Sequence, residues 1–371
     1  MAPRADWRAH VERDLGFTFH TIDGAPYWDE TACYEFGAAE IDALEEATGE
    51  LEQMSLALVD RVIEQGPPAF ERLRIPPQAW DAIAGSWKGQ QRNLYGRFDL
   101  RFDGSGPPKL LEYNADTPTA LFEAAVVQWD WLEAIWPGRD QFNSLHERLI
   151  EAWKQFGFGR ARVHFASVKN HTEDGGTVEY LRDTAVQAGV ETARIAIEDI
   201  GWDGRNFLDL DNAPIETLFK LYPWEWIVDE EFGQHLLTGV TRVIEPAWKM
   251  VLSNKAALAL LWEMAPDHPN LLPTAFEPAG IEGTLVRKPI FGREGANVQV
   301  IEANRVVNET PGGYGAEGFV YQAHAPLPSF DGNYPVVGAW LVASHPAGMG
   351  IREDASPITS NTSRFVPHYF E

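Results

Sequence analysis

The hydrophobic period of the chain drops from 3.6 to 2 near residue 94, and that switch restricts the fold more than any other feature. Before it, Ile41, Leu44, Leu51, Leu58 and Val62 recur at helical spacing, and Gly66-Pro67-Pro68 ends the pattern. Pro77–Trp87 repeats a helical pattern with proline in its first turn. After it, Leu94–Arg101 and Lys109–Tyr113 read as two strands joined by the turn-rich Asp103-Gly104-Ser105-Gly106-Pro107. A chain with both periods must pack helices on sheets.

The remainder repeats the alternation. Leu121, Phe122, Ala125, Val126, Trp129 and Leu132 share a helical side, as do Leu145, Leu149, Trp153 and Phe156. Strand-like Arg162–Val168, a helix over Val178–Val186 ended by Gly189, and Arg194–Ile197 predict a β-α-β unit, with a further short strand at Leu218–Leu221. From Gly283 onward Thr284–Pro289, Asn297–Ile301, Gly318–His324, Val336–Ala343 and Met349–Arg352 alternate with glycine-rich turns. The fold class is α/β, with a β-rich last quarter and no Pro/Ser linker between lobes.

With 44% hydrophobic residues, 14 Trp and 20 Phe, the 371-residue chain can bury a large core, which excludes disorder as its main state. Thirty Lys and Arg against 55 Asp and Glu give a formal net charge of −25, a field that repels phosphate backbones and anionic membranes and welcomes a cationic substrate. Neither nucleic acid nor membrane is expected as a partner. The single Cys33 permits no intramolecular disulfide and no cysteine zinc site. Met1–Glu12 has no apolar run typical of a secretory signal, and Ala256–Trp262 and Val336–Ala343 fall short of the roughly 20 residues that span a bilayer. A cytoplasmic protein is expected; its oligomeric state is open.

Gly313-Tyr314-Gly315-Ala316-Glu317-Gly318 matches G-x-G-x-x-G, but Asn308-Glu309-Thr310-Pro311 precedes it and strand-like Phe319-Val320-Tyr321-Gln322 follows, so it is not a dinucleotide fingerprint. No Walker pattern, G-x-S-x-G elbow or H-E-x-x-H occurs, and the sequon Asn361-Thr362-Ser363 has no meaning without a secretory signal. Two blocks do carry chemistry. Strand alternation puts Arg97 and Asp99 on one face and Glu112 and Asn114 on one face, so a hairpin can bring together two carboxylates, an amide and a guanidinium, a donor set suited to Mg²⁺ that also carries phosphates. An Arg–carboxylate pair closing a hairpin is the alternative. Lys288, upstream Lys255 and the loop Gly292-Arg293-Glu294-Gly295 suggest a nucleotide held between sheets; an ordinary hairpin with extended lysines is the alternative.

Together Arg97-Phe98-Asp99, Leu111 through Thr119 (L-E-Y-N-A-D-T-P-T), Leu221 through Trp226 (L-Y-P-W-E-W), Arg287 through Gly295 (R-K-P-I-F-G-R-E-G) and Pro346 through Asp354 resemble the glutathionylspermidine synthase family, in particular its stand-alone synthetase-like members among the ATP-grasp ligases. The resemblance implies one ATP-grasp unit over 1–371 with no amidase domain: a helical part over 1–90, a substrate and metal part over 91–245, and a nucleotide part over 246–371. It implies Mg²⁺ on Asp99, Glu112 and Asn114, and ATP on Lys255 and Lys288 under Gly292–Gly295, with Gln322-Ala323 at the adenine. Arg97, Arg293 and Arg352 would handle the acyl phosphate and substrate carboxylate, and Thr117, Thr119 and Glu225 the peptide-like acid. The implied activity is ATP-dependent ligation of a small-molecule acid, peptide-like, to a polyamine or other amine through an acyl phosphate. A nucleotide-binding regulator without turnover and a small-molecule phosphotransferase are the alternatives. Cys33 is read as a buried or incidental thiol.

Overall fold

The computed structural model describes residues 1–22, 24–360 and 362–371; the sequon's Asn361 lies outside them. The first expected helix spans Ala38–Gln65 (α1), with Ile41, Leu44, Leu51, Leu58 and Val62 all buried, because residues three and four apart share a helix face. The Glu40 carboxylate accepts the Gly37 N–H at 2.8 Å at its start. Gly66, at φ 66°, turns the chain out of it into a short proline-led helix, Pro67–Arg72. Pro77–Lys88 (α2) follows. Tyr95–Arg101 (β1) and Lys109–Asn114 (β2) then form the expected antiparallel hairpin.

The helix begun at Leu121 passes through a π-helical turn, Glu123–Val127, into Gln128–Ile135 (α3), and Leu145–Gln155 (α4) follows. Val163–Ser167 (β3), Thr172–Gln187 (α5) and Thr192–Ala196 (β4) make the anticipated β-α-β unit. Thr217–Leu221 (β5), Trp224–Asp229 (α6) and Arg242–Ile244 (β6) extend it into a four-stranded parallel sheet of order β6-β5-β3-β4. Ala256–Met264 (α7) starts directly after Lys255.

Thr274–Ala275 (β7), Leu285–Pro289 (β8), Gln299–Glu302 (β9), Arg305–Glu309 (β10) and Phe319–Ala323 (β11) form an antiparallel sheet of order β7-β11-β8-β9-β10. Strand β11 directly after Gly318 is why the G-x-G-x-x-G match is no dinucleotide site. Tyr334–Val342 (β12), His345–Asp354 (β13) and Arg364–Val366 (β14) join the hairpin in a second antiparallel sheet, β14-β13-β12-β1-β2. This sheet therefore unites strands some 240 residues apart, from both the 91–245 and the 246–371 stretches.

Alternation along β12 sends Val337, Ala339 and Leu341 into a core with α1, α2 and α7, and Trp340 and Val342 into a second core with α3, α4 and α5. On β1, Phe98 and Leu100 join the first core. Arg97 and Asp99 are thereby left on the other face, opposite Trp340 and Gly338 in register, and the candidate site occupies the open end of that face. Among the described residues no helix is long and apolar enough to cross a membrane.

Candidate active site

The hairpin register places Arg97 opposite Asn114 and Asp99 opposite Glu112, with an irregularity just beyond Asp99. Asp99 pairs with Glu112 but Leu100 pairs with Leu110, so Leu111 is an extra residue, a β-bulge. The bulge leaves two carbonyls for another sheet. Leu111 O accepts from Lys288 Nζ at 2.8 Å, and Leu110 O from Gln322 Nε2 at 3.2 Å. Lys288 on β8 and Gln322 on β11 are themselves bonded at 2.7 Å. Buried polar groups thus lock the β7–β11 sheet onto the hairpin, and none of these donors is left unsatisfied.

Arg97 donates Nε to Asp99 Oδ1 at 2.6 Å and Nη1 to Thr119 O at 2.6 Å. Asn114 Nδ2 bridges the two carboxylates, at 3.2 Å from Asp99 Oδ2 and 3.4 Å from Glu112 Oε1. Lys255, at the mouth of α7, meets Glu112 Oε2 at 3.0 Å and Gly292 O at 2.5 Å. Charge and burial compete here. Burial pushes the Glu112 carboxyl up, but Lys255 and Lys288 outweigh it and hold the group at about 2. Burial pushes Asp99 above its ordinary value, opposed by Arg97 and reinforced by Glu112. Burial lowers Lys288 to about 8, with Glu112 pulling the other way.

Asp99, Glu112 and Asn114, read from spacing alone, do converge. Two carboxylates and an amide are hard donors that fit Mg²⁺ while leaving coordination positions for phosphate and water. Among the described residues no cluster of three His, Cys, Asp or Glu side chains is placed to hold a metal ion; the set here has only two carboxylates, with the Asn114 amide beside them. The ion pairs differ from the simplest hairpin expectation: Arg97 pairs with Asp99, and Lys255 rather than Arg97 neutralises Glu112.

Two clefts flank this set. The first is lined by Lys255, Lys288, Gly292, Gly295, Gln322 and Ala323, with Val286, Val300, Leu327 and Ile358 as an apolar wall. That is the chemistry of a slot for a flat base and its phosphates. The second is lined by Arg97, Asn114, Thr117, Thr119, Arg293 and Arg352, and by His171 and Asp174 of the β-α-β unit. Asp99, Glu112, Gly295 and Thr359 line both.

Arg293 reaches across the second cleft. Its Nη1 donates to Thr117 Oγ1 at 3.0 Å, and Nη2 pairs with Glu225. Gly295 has φ 68°, and a Cβ there would stand 2.2 Å from Thr359 O, so only glycine lets the loop rest on residues 357–359. Arg352 on β13 donates to Ser360 O at 2.8 Å beside the same cleft. The sequence-predicted residues thus line this pair of clefts, except Glu225, which lines a neighbouring pocket and joins the second cleft only through Arg293; Thr119 contributes its carbonyl to Arg97 rather than a bonded hydroxyl.

Sequence reasoning missed Gly338, Thr359, His171 and Asp174. Gly338 lies opposite Asp99, and a Cβ there would be 2.8 Å from Arg97 Cδ; in sequence it is one glycine in an apolar run. Only a pairing register could have singled it out.

A family model described as glutathionylspermidine synthase preATP-grasp matches residues 1–371. A protein of Haemophilus influenzae provisionally named an acid–amine ligase is 46% identical, over 96% of this chain and 95% of its own length. A trypanothione synthetase of Crithidia fasciculata and a bifunctional glutathionylspermidine synthetase/amidase of Escherichia coli are each 29% identical, over 80% and 86% of this chain. The chain spans 50% and 56% of those two proteins. Among solved structures, a glutathione synthetase-like effector of Globodera pallida in its apo form aligns over 91% of this chain and 89% of its own, with a TM-score of 0.54 at 11% identity. That likeness is one of fold, and it agrees with the α/β, ATP-grasp expectation.

Proposed function

The chain belongs to the glutathionylspermidine synthase family, and from that premise we propose that it is an ATP-dependent carboxylate–amine ligase acting through an acyl phosphate. The observation that carries this reading is the shared wall of the two clefts. A nucleotide in the first would present its terminal phosphate at Asp99, Glu112 and Gly295, where the second cleft opens.

An acid and an amine do not condense in neutral water unless the carboxylate is activated. A carboxylate oxygen in the second cleft attacks the γ-phosphorus and ADP leaves. The amine nitrogen then attacks the acyl carbon, loses a proton, and inorganic phosphate departs with the C–O bonding pair. Lys255 and Lys288 hold the nucleotide phosphates from the first cleft. Arg97, fixed by Asp99 and by Thr119 O, and Arg352, fixed by Ser360 O, face the transferring group and the tetrahedral oxyanion. Removing one such donor costs on the order of 10² to 10³ in rate. Mg²⁺, when held by Asp99, Glu112 and Asn114, would neutralise phosphate charge. The loop Gly292–Gly295 excludes water from the acyl phosphate. Arg293, Thr117, Thr119 and Glu225 receive the acid, a peptide-like one by family likeness, and a polyamine or amino compound is the second substrate.

ADP release should be measured with Mg-ATP plus a peptide acid, with and without an amine. Release that needs both supports ligation. Release with the acid alone and a stable phosphorylated product would make the protein a phosphotransferase, and nucleotide binding without any release a regulator.

A further inference from the structure

A buried ion pair lies behind the second cleft, close in sequence to two of the groups assigned above. Lys220, on β5, and Asp116, just beyond β2, are 0% and 1% exposed, and Lys220 Nζ lies 2.6 Å from Asp116 Oδ1. Asp116 Oδ2 accepts the Trp224 N–H at 2.9 Å, at the first residue of α6. The ammonium also sits 4.8 Å from the centre of the Trp224 ring. One carboxylate therefore ties together the loop after β2, strand β5 and the start of α6.

The placement of this tie is informative. Thr117 follows Asp116 and Glu225 follows Trp224, and these two residues are the partners of Arg293. The loop also supplies Thr119 O to Arg97. A fully buried ion pair is a poor stabiliser, since desolvating both ions offsets most of their attraction and an apolar pair of the same volume serves stability as well. What an apolar pair lacks is direction: it cannot fix a loop and a helix start to one carboxylate at 2.6 and 2.9 Å.

We propose that Asp116 and Lys220 are positioning residues that set Thr117 and Glu225 at the separation needed to dock Arg293, and so form the acid-binding corner. This rests on the ligase reading for its catalytic consequence, though not for the docking itself.

Trypsin cutting after Arg293, with the product identified by mass, reads the docking directly and needs no substrate. Two variants are compared with the wild type: Lys220→Met/Asp116→Asn, which keeps an acceptor for the Trp224 N–H and removes both charges, and Asp116→Glu, which keeps the pair but lengthens the reach by one methylene. In each folded variant the cut should come about tenfold faster and KM for the acid should rise about tenfold. Lysine at 220 in the second variant preserves the ion pair, so it reports on position even if the double variant fails to fold. Cutting at the wild-type rate in a folded variant would overturn the proposal and leave the pair as plain core. Absence of ADP release from the wild type with any acid and amine would instead sink the ligase reading, while the cutting rates would still judge the pair.

Discussion

Glu112 is the residue on which ion pair and metal ligand make opposite forecasts. Glu112→Gln keeps size, removes the attraction to Lys255 and Lys288, and relieves the repulsion that helps push Asp99 up. A carboxyl held at about 2, below its unfolded value, contributes stability above pH 4.5 that is lost as pH falls toward 2. The variant should therefore lose about 1–3 kcal/mol at neutral pH, a fall of a few degrees in melting temperature, and decline less steeply below pH 4.5. Turnover should drop about 10²-fold or more, with the Mg-ATP melting shift gone; early melting with normal specific activity and a normal shift would leave only the ion pair. Glu123 titrates in the opposite sense. It is wholly buried on the π-helical turn, accepts from Tyr27 Oη at 2.6 Å, and its second oxygen has no hydrogen-bond partner among the described residues. Burial, with Glu173 nearby, pushes it up to about 7. Because the native state holds that proton between pH 4.5 and 7 and the unfolded chain does not, stability falls as pH rises through this window. Glu123→Gln, still an acceptor for Tyr27, should match the wild type in urea near pH 5 and exceed it by roughly 2–3 kcal/mol near pH 8. Equal urea midpoints at both pH values would show that Glu123 is ionised throughout.

At the scale of elements, the loop Gly292–Gly295, proposed to cover the nucleotide phosphates, is defined by backbone conformation as much as by charge. Gly295→Ala puts a Cβ 2.2 Å from Thr359 O at a φ of 68°, where both the clash and the conformation oppose it. The fold should persist, since the loop lies on the cleft rim, but the melting shift given by a Mg-ATP analogue should fall by half or more; a full shift would mean the loop closes over nothing. The elements themselves were legible where one face is buried. Helix α1, the hairpin β1–β2 and the β3-α5-β4 unit follow from period and turn residues, and the convergence of Asp99, Glu112 and Asn114 follows from alternation on two paired strands. Strand β10 was not legible, because four of its five residues are exposed and it carries no buried period. Nor was the pairing of β12 with β1, since local periodicity carries no information about register between distant segments. The bulge at Leu111, which aims two carbonyls at Lys288 and Gln322, and the Asp116–Lys220 pair were hidden for the same reason. In sequence those charged residues look like solvated surface, and only tertiary contact reveals them as buried.

The whole molecule carries a formal charge of −25, while its clefts concentrate the opposite sign at Lys255, Lys288, Arg97, Arg293 and Arg352. These act at different ranges. The global field extends about 30 Å at 0.01 M salt and only about 8 Å at 0.15 M, whereas partly buried contacts such as Lys255 with Glu112 are screened far less. A cationic amine should therefore be drawn in by the long-range field, helped at the second cleft by Asp174 and Glu294, and an anionic Mg-nucleotide should be repelled at a distance and held only on contact. Opposite salt dependences follow. Raising salt between those two concentrations should lower kcat/KM for a polyamine about three- to tenfold, while that for Mg-ATP stays level or improves. Asp174→Asn/Glu294→Gln separates local from global origin: if the net charge steers, the amine's salt slope survives the loss of two carboxylates out of 55 acidic residues; if the cleft mouth steers, the slope flattens. A polyamine whose kcat/KM ignores salt, with a neutral amine used equally well, would remove the acidic field from the enzyme's mechanism altogether.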